Sequence, residues 1–123
     1  MTKDDDSRTA ADIVAAQWRL FLDGAEGMVD PAMARAAHEQ PRLRELFPGV
    51  SHGVMFFSRC TGFPAAHVGG QVSPEGARRF RVRGPLGGAT LGVVDTPEEA
   101  FELVVANLPE GCGPAIEGTA ADL

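Results

Sequence analysis

The first part of the chain carries apolar residues at helical spacing. Thr9 supplies an N-cap hydroxyl, Asp12 supplies a first-turn acid, and Asp23-Gly24 ends the segment. The pattern therefore predicts a helix from Thr9 to about Leu22. Its buried stripe is expected to be Ile13, Val14, Trp18, Phe21 and Leu22.

A second start signal is Asp30 followed by Pro31, a cap residue and then a proline at the first helical position. It predicts a short helix to about His38, which Pro41 must end. After Pro41 we expect one or two further helical turns, closed by Pro48-Gly49.

From Val50 the apolar period changes from helical to strand-like. This period predicts a strand that runs to Cys60. Because both of its faces would carry large apolar groups, we expect the strand to be central in the sheet. One face would hold His52, Val54, Phe56, Ser58 and Cys60, and the other Met55, Phe57 and Arg59. A weaker strand is expected around His67 to Val72, followed by a turn at 73–76.

The alternation over Arg79–Arg83 places Phe80 and Val82 inward and three arginines outward. The glycine-rich segment 84–88 then predicts an antiparallel hairpin with a strand over 89–94. Thr96 and Glu99 form a capping-box pattern that starts a helix ending before Pro109.

These elements predict an α+β fold with N-terminal helices, a three- to four-stranded antiparallel sheet and a C-terminal helix packed on the sheet. We expect residues 1–8 to be a disordered leader, residues 9–118 a single α+β domain, and residues 119–123 a disordered tail. A length of 123 residues suits one hydrophobic core.

Charge is unevenly placed along this acidic chain, whose formal net charge is −6. Residues 1–34 hold three basic and seven acidic groups, residues 35–83 eight and three, and residues 84–123 none and seven. The acidic flanks would repel phosphate, so no nucleic-acid partner is expected.

The apolar runs are shorter than the roughly 18 residues of a membrane span, so no membrane partner is expected either. The polar start lacks a secretory signal, which favours a cytoplasmic location.

Catalytic and metal-binding chemistry finds little support in the sequence. Cys60 and Cys112 are expected to be free core thiols in a reducing compartment. A nucleophilic Cys60 would need His52, about 26 Å away along an extended strand, or His67 across the intervening turn. No metal and no cofactor are expected, because the His and Cys spacings do not match a zinc site.

The arginine strand is the main candidate for binding. Side chains 79, 81 and 83 would emerge about 6.6 Å apart, a spacing that suits successive carboxylates of an extended partner or strand addition at a sheet edge. The expected binding residues are Arg79, Arg81, Arg83, Arg59 and His52. A solvated face that resists aggregation is the alternative.

Several short motifs resemble a small bacterial family of unknown function whose members are commonly labelled natural product biosynthesis proteins. They are PRLRELFP at 41–48, SHG at 51–53, FSRCT at 57–61, TPEEA at 96–100, ANLP at 106–109 and GCGP at 111–114. The likeness spans about residues 12 to 119 and supplies no catalytic residue.

Three functional hypotheses follow. The first is a non-catalytic binding or accessory protein that engages an acidic peptide or protein partner through its basic strand. The alternatives are an immunity-type inhibitor of a toxin and a small enzyme that uses Cys60 or His52. The partner is expected to be a protein or peptide, and a homodimer stays open.

Overall fold

The computed structural model of the chain describes residues 9–23, 29–76 and 79–123. Its helices are α1 (Ala10–Leu22), α2 (Pro31–His38), α3 (Pro41–Arg44) and α4 (Pro97–Ala106). The expected caps start three of them: the Thr9, Asp30 and Thr96 side chains each accept a hydrogen bond from a first-turn backbone N–H. The expected leader at 1–8 lies outside the described residues. None of the described helices is long and apolar enough to cross a membrane.

A five-stranded antiparallel sheet follows the first three helices and confirms the α+β class. The strands are β1 (Phe47–Ser51), β2 (Val54–Ser58), β3 (Gln71–Glu75), β4 (Arg79–Arg83) and β5 (Thr90–Val94). They pair in sequence order, so β1 and β5 are the two edges. The weak strand expected at 67–72 lies later in the chain, and Ser73-Pro-Glu75, expected to turn, belongs to β3.

The extra strand arises because the single strand expected from Val50 to Cys60 is a hairpin. Ser51 pairs with Val54, and His52 and Gly53 form the two-residue turn between them, with φ values of 53° and 80°. Positive φ at both positions is the geometry that matches the twist of two-residue hairpins. His52 therefore lies in a turn and not on a strand face, which corrects the expected placement.

The helices cover one face of the sheet, which holds the core. Trp18 stacks on Phe57 with ring centroids 6.2 Å apart, and Phe57 meets Phe101 edge to face at 6.0 Å. The Trp18 indole N–H donates to the Leu46 carbonyl at 3.0 Å, so its polar atom is satisfied inside the core. From β2, β3 and β4 this face buries Met55, Phe57, Val72 and Val82. We call the opposite side of the sheet the outer face.

The end of the chain returns to the body of the domain. Cys60 and Ile116 form an isolated parallel β-bridge, and the Gly118 carbonyl accepts a hydrogen bond from the Gly62 N–H at 2.6 Å. Ala120–Asp122 then forms a 3₁₀ helix. Thr119 caps that helix together with the Asp122 carboxylate. The Ala120 N–H also donates to the Pro64 carbonyl at 2.9 Å, so this capped turn contacts the loop after β2. The expected disorder of residues 119–123 stays a prediction.

Candidate functional site

The three arginines of β4 alternate with Phe80 and Val82, which places them on the outer face as the sequence predicts. Arg79 and Arg83 are exposed and Arg81 is half-buried. However, β4 is paired with β3 on one side and β5 on the other. Because its backbone hydrogen bonds are taken, a peptide cannot add to this strand. The arginines can act only through their side chains.

Arg81 is already engaged within the protein. Its Nε and Nη2 donate to the two carboxylate oxygens of Glu75 at 2.5 and 2.9 Å, and Nη1 donates to the Thr90 hydroxyl at 3.1 Å. The hydrogen bond from Arg81 lowers the pKa of Glu75, and the charges of Arg79 and Arg83 act in the same direction. The fork-to-fork pair fixes Arg81 in one geometry.

Arg79 and Arg83 differ from Arg81 in this respect. Within residues 9–23, 29–76 and 79–123, the ion pair of Arg81 with Glu75 is the one that forms. Arg79 and Arg83 are four positions apart in the strand, so their Cα atoms lie about 13 Å apart. The acidic helix α4 packs against the sheet from the other side, where Ala100, Phe101 and Val104 are buried, and it cannot pair with them. The outer face thus presents two cations that have no ion-pair partner among the described residues.

The other two expected binding residues lie elsewhere. His52 is exposed at the β1–β2 turn, where its Nδ1 lies 3.2 Å from the Ser51 hydroxyl. Arg59 is half-buried beside the C-terminal segment, and a methyl group built on Gly113 would lie 3.9 Å from its Nη2. The Arg59 Nε is buried and has no hydrogen-bond partner within residues 9–23, 29–76 and 79–123. Neither residue extends the arginine row of β4.

Cys60 and His67 do not form a hydrogen-bonded pair. The Cys60 thiol is fully buried and lies within 3.5 to 3.7 Å of the Ser58 hydroxyl and of the Gly62 and Pro64 carbonyls. The His67 ring packs on Phe56 instead, with centroids 4.8 Å apart. Burial lowers the pKa of His67, so its imidazole is neutral at neutral pH. Nothing in this geometry prepares a thiolate.

Metal ligands do not converge in the part of the chain that the structure covers, since no three His, Cys, Asp or Glu side chains form a cluster there. Both cysteines are free thiols.

A cavity of about 620 Å³ lies outside the expected site, between α1 and the segment around Ala115. Trp18 lines it, and Arg19, His38 and Arg44 stand around it. The Arg44 Nε donates to the His38 carbonyl at 2.8 Å. Burial and the charge of Arg44 together lower the pKa of His38. The sequence pattern showed Trp18 as a core residue, but it could not show that residues 114–115 return to α1.

Comparison with known proteins gives one match. No curated protein and no solved structure matches the chain. Residues 12–119 match a protein family with the description "Family of unknown function (DUF6193)". The matched range includes all five strands and all four α-helices except the start of α1. Because this match covers far more than half of its length, the chain belongs to that family of unknown function.

Proposed function

We propose that the protein is a non-catalytic binding protein that holds an acidic segment of a protein partner on its outer face. The observation that carries the proposal is the pair of exposed arginines at positions 79 and 83, which form no ion pair in the part of the chain that the structure covers. The resemblance to proteins labelled for natural product biosynthesis supports an accessory role, in which the protein binds a biosynthetic enzyme or a precursor of the product.

The separation of charge in the molecule supports this choice of partner. The outer face carries Arg79, Arg81 and Arg83 against Glu75, whereas α4 on the other side carries three glutamates and no basic residue. An acidic segment is therefore drawn to one side of the sheet and repelled from the other. The pair of Arg81 with Glu75 leaves two cations, about 13 Å apart, to meet two carboxylates four residues apart in an extended segment.

The strength of such contacts limits what they achieve alone. Exposed ion pairs typically contribute about 0.2 to 1 kcal/mol each, and salt weakens them further. Two such pairs orient a partner and speed its approach, but they give weak affinity. A stable complex needs apolar contacts as well.

The test uses two double variants that change net charge equally. Arg79→Glu with Arg83→Glu reverses the proposed site, and Arg35→Glu with Arg42→Glu reverses two exposed arginines on α2 and α3. The probe is a fluorescein-labelled serine peptide with two glutamates four residues apart, and binding is followed by fluorescence anisotropy. We expect the first variant to lose at least about tenfold in affinity and the second to lose less than about twofold.

The outcomes separate the functional hypotheses. Equal losses in both variants would mean that only net charge matters. If the wild-type protein binds this peptide no better than the same peptide with glutamine in place of both glutamates, the proposal is refuted. In a pull-down from the native host, a partner kept by the Arg79 and Arg83 double variant would instead favour an immunity-type inhibitor, which is expected to bind through an acidic surface. The enzyme alternative uses Cys60 or His52, and native alkylation of Cys60 tests its first form.

A further inference from the structure

Two large apolar side chains stand in solvent at one end of the outer face. Phe63 is 86% exposed and Leu86 is 77% exposed, the highest values among the large hydrophobic residues of the described chain. Together with Pro64, Ala65 and His67 they line an open groove of about 470 Å³. We call it the Phe63–Leu86 groove. Its volume lies in the range of small binding sites.

The backbone at Leu86 adds a second observation. Leu86 has a φ of 59°, which glycine adopts readily and which costs other residues about 1 kcal/mol or more. Its side chain also gains nothing from burial, because it projects into solvent. A glycine at this position would remove the strain and the exposed apolar surface together. Folding alone therefore gives no reason for leucine here, whereas contact with a partner does.

His67 forms the inner wall of the groove. Its ring packs against Phe56 on the outer face, and its Nδ1 is buried without a hydrogen-bond partner among the described residues. A buried polar atom without a partner costs free energy.

The groove adjoins the arginine row. Gln71 of β3 is the register partner of Arg83 in β4, and its side-chain carbonyl accepts from the Gly87 N–H at 3.2 Å. This hydrogen bond holds the turn that carries Leu86 beside Gln71, at the Arg83 end of the row. A segment that follows the arginines from Arg79 to Arg83 therefore reaches the groove next.

We propose that the Phe63–Leu86 groove takes one large apolar side chain of the same acidic segment, so that the partner carries a leucine- or phenylalanine-sized residue just beyond its acidic pair. This inference rests on the proposed function and names the partner more closely. The arginines select acidic segments, and the groove supplies the apolar contact that two exposed ion pairs lack. Charge complementarity with the arginines and the strained, exposed Leu86 point to this occupant.

The test compares two fluorescein-labelled peptides that differ in one residue. Both contain two glutamates four residues apart among serines, and two residues beyond the second glutamate one peptide has phenylalanine and the other serine. With the wild-type protein we expect the phenylalanine peptide to bind at least about tenfold tighter, the gain that partial burial of one aromatic side chain provides.

Leu86→Gly should abolish that gain while it leaves the binding of the serine peptide unchanged. The variant should also fold normally, because glycine suits a φ of 59°. Leu20→Ser is the matched control, since it removes an exposed leucine from α1, away from the groove, and should keep the gain. Thermal unfolding of each variant checks the fold.

Different results refute different claims. If the serine peptide binds but phenylalanine adds nothing, or if the gain persists in Leu86→Gly, the groove is not the anchor site and the proposed function stands without it. If neither peptide binds the wild-type protein, the proposed function is wrong, and the inference that rests on it is wrong too.

Discussion

Removal of the Thr96 hydroxyl tests how much the start of α4 depends on its cap. The Thr96 Oγ accepts from the Glu99 backbone N–H at 3.1 Å and lies 3.1 Å from the Glu99 carboxylate, to which it donates. The sequence predicted that the carboxylate would reach the Thr96 backbone N–H; in the structure it accepts from the hydroxyl instead. The Thr96 hydroxyl thus makes both hydrogen bonds, one to the Glu99 backbone and one to the Glu99 side chain.

The expected cost of Thr96→Ala follows from these two contacts. Loss of an N-cap hydroxyl costs about 1 kcal/mol. The hydrogen bond to the exposed Glu99 carboxylate adds little, because water replaces the lost donor. We expect a loss of about 1 kcal/mol, or about 3 to 5 °C in the unfolding midpoint for a domain of this size.

Urea unfolding followed by tryptophan fluorescence measures this loss. Trp18 is the only tryptophan in the chain and is 2% exposed, so its emission reports on the core that α4 helps to close. Thr96→Ser is the control, because it keeps the hydroxyl and should lose much less stability. If the alanine variant unfolds at the same urea concentration as the wild-type protein with the same slope, the cap does not stabilise α4 and the argument is wrong.

Two further predictions concern two half-buried histidines and the two cysteines. Burial lowers the pKa of His38 and of His67 below the usual 6.5 of the unfolded chain. The unfolded state therefore binds protons first as pH falls, so the contribution of these groups to folding stability is complete at higher pH and is lost as pH drops below about 6.5. Urea unfolding across this range should show the decline, and a His38→Gln, His67→Gln double variant should flatten it; an equal slope in both proteins would refute the assignment. Iodoacetamide should modify the half-buried Cys112 in the native protein and reach the fully buried Cys60 only on unfolding, as read by mass spectrometry. Rapid native modification of Cys60 would contradict its burial and favour the enzyme alternative.

Local patterns in the sequence were sufficient for most of the elements. Caps at Thr9, Asp30 and Thr96 started helices where expected, because a cap acts within one helical turn. The alternation at 79–83 gave both the strand and the face of each arginine, because the side-chain period of a strand is two residues. These signals need no knowledge of distant residues.

The hairpin at 47–58 shows where local patterns fail. Pro48-Gly49 indicates a turn, yet both residues lie in β1, an edge strand, where proline is tolerated. The turn itself is His52-Gly53, and only Gly53 signals it in the sequence. Ser51 and Val54 are cross-strand partners on the same face, so the turn shifts the alternation by one residue. The sequence hides this shift because residues 54–57 are all apolar and would fit either face.

The sequence by itself determined which segments form helices and strands and that arginines line one side of β4. Tertiary structure decided the rest: that β4 is internal, that Arg81 pairs with Glu75, and that the Phe63–Leu86 groove adjoins Arg83. Gly70 illustrates the reason. Its φ is 130°, and a Cβ at this position would lie 2.5 Å from the carbonyl oxygen of Arg83, thirteen residues further along the chain. Propensity and periodicity act over a few neighbouring residues, whereas strand order and groove walls depend on which distant segments come into contact.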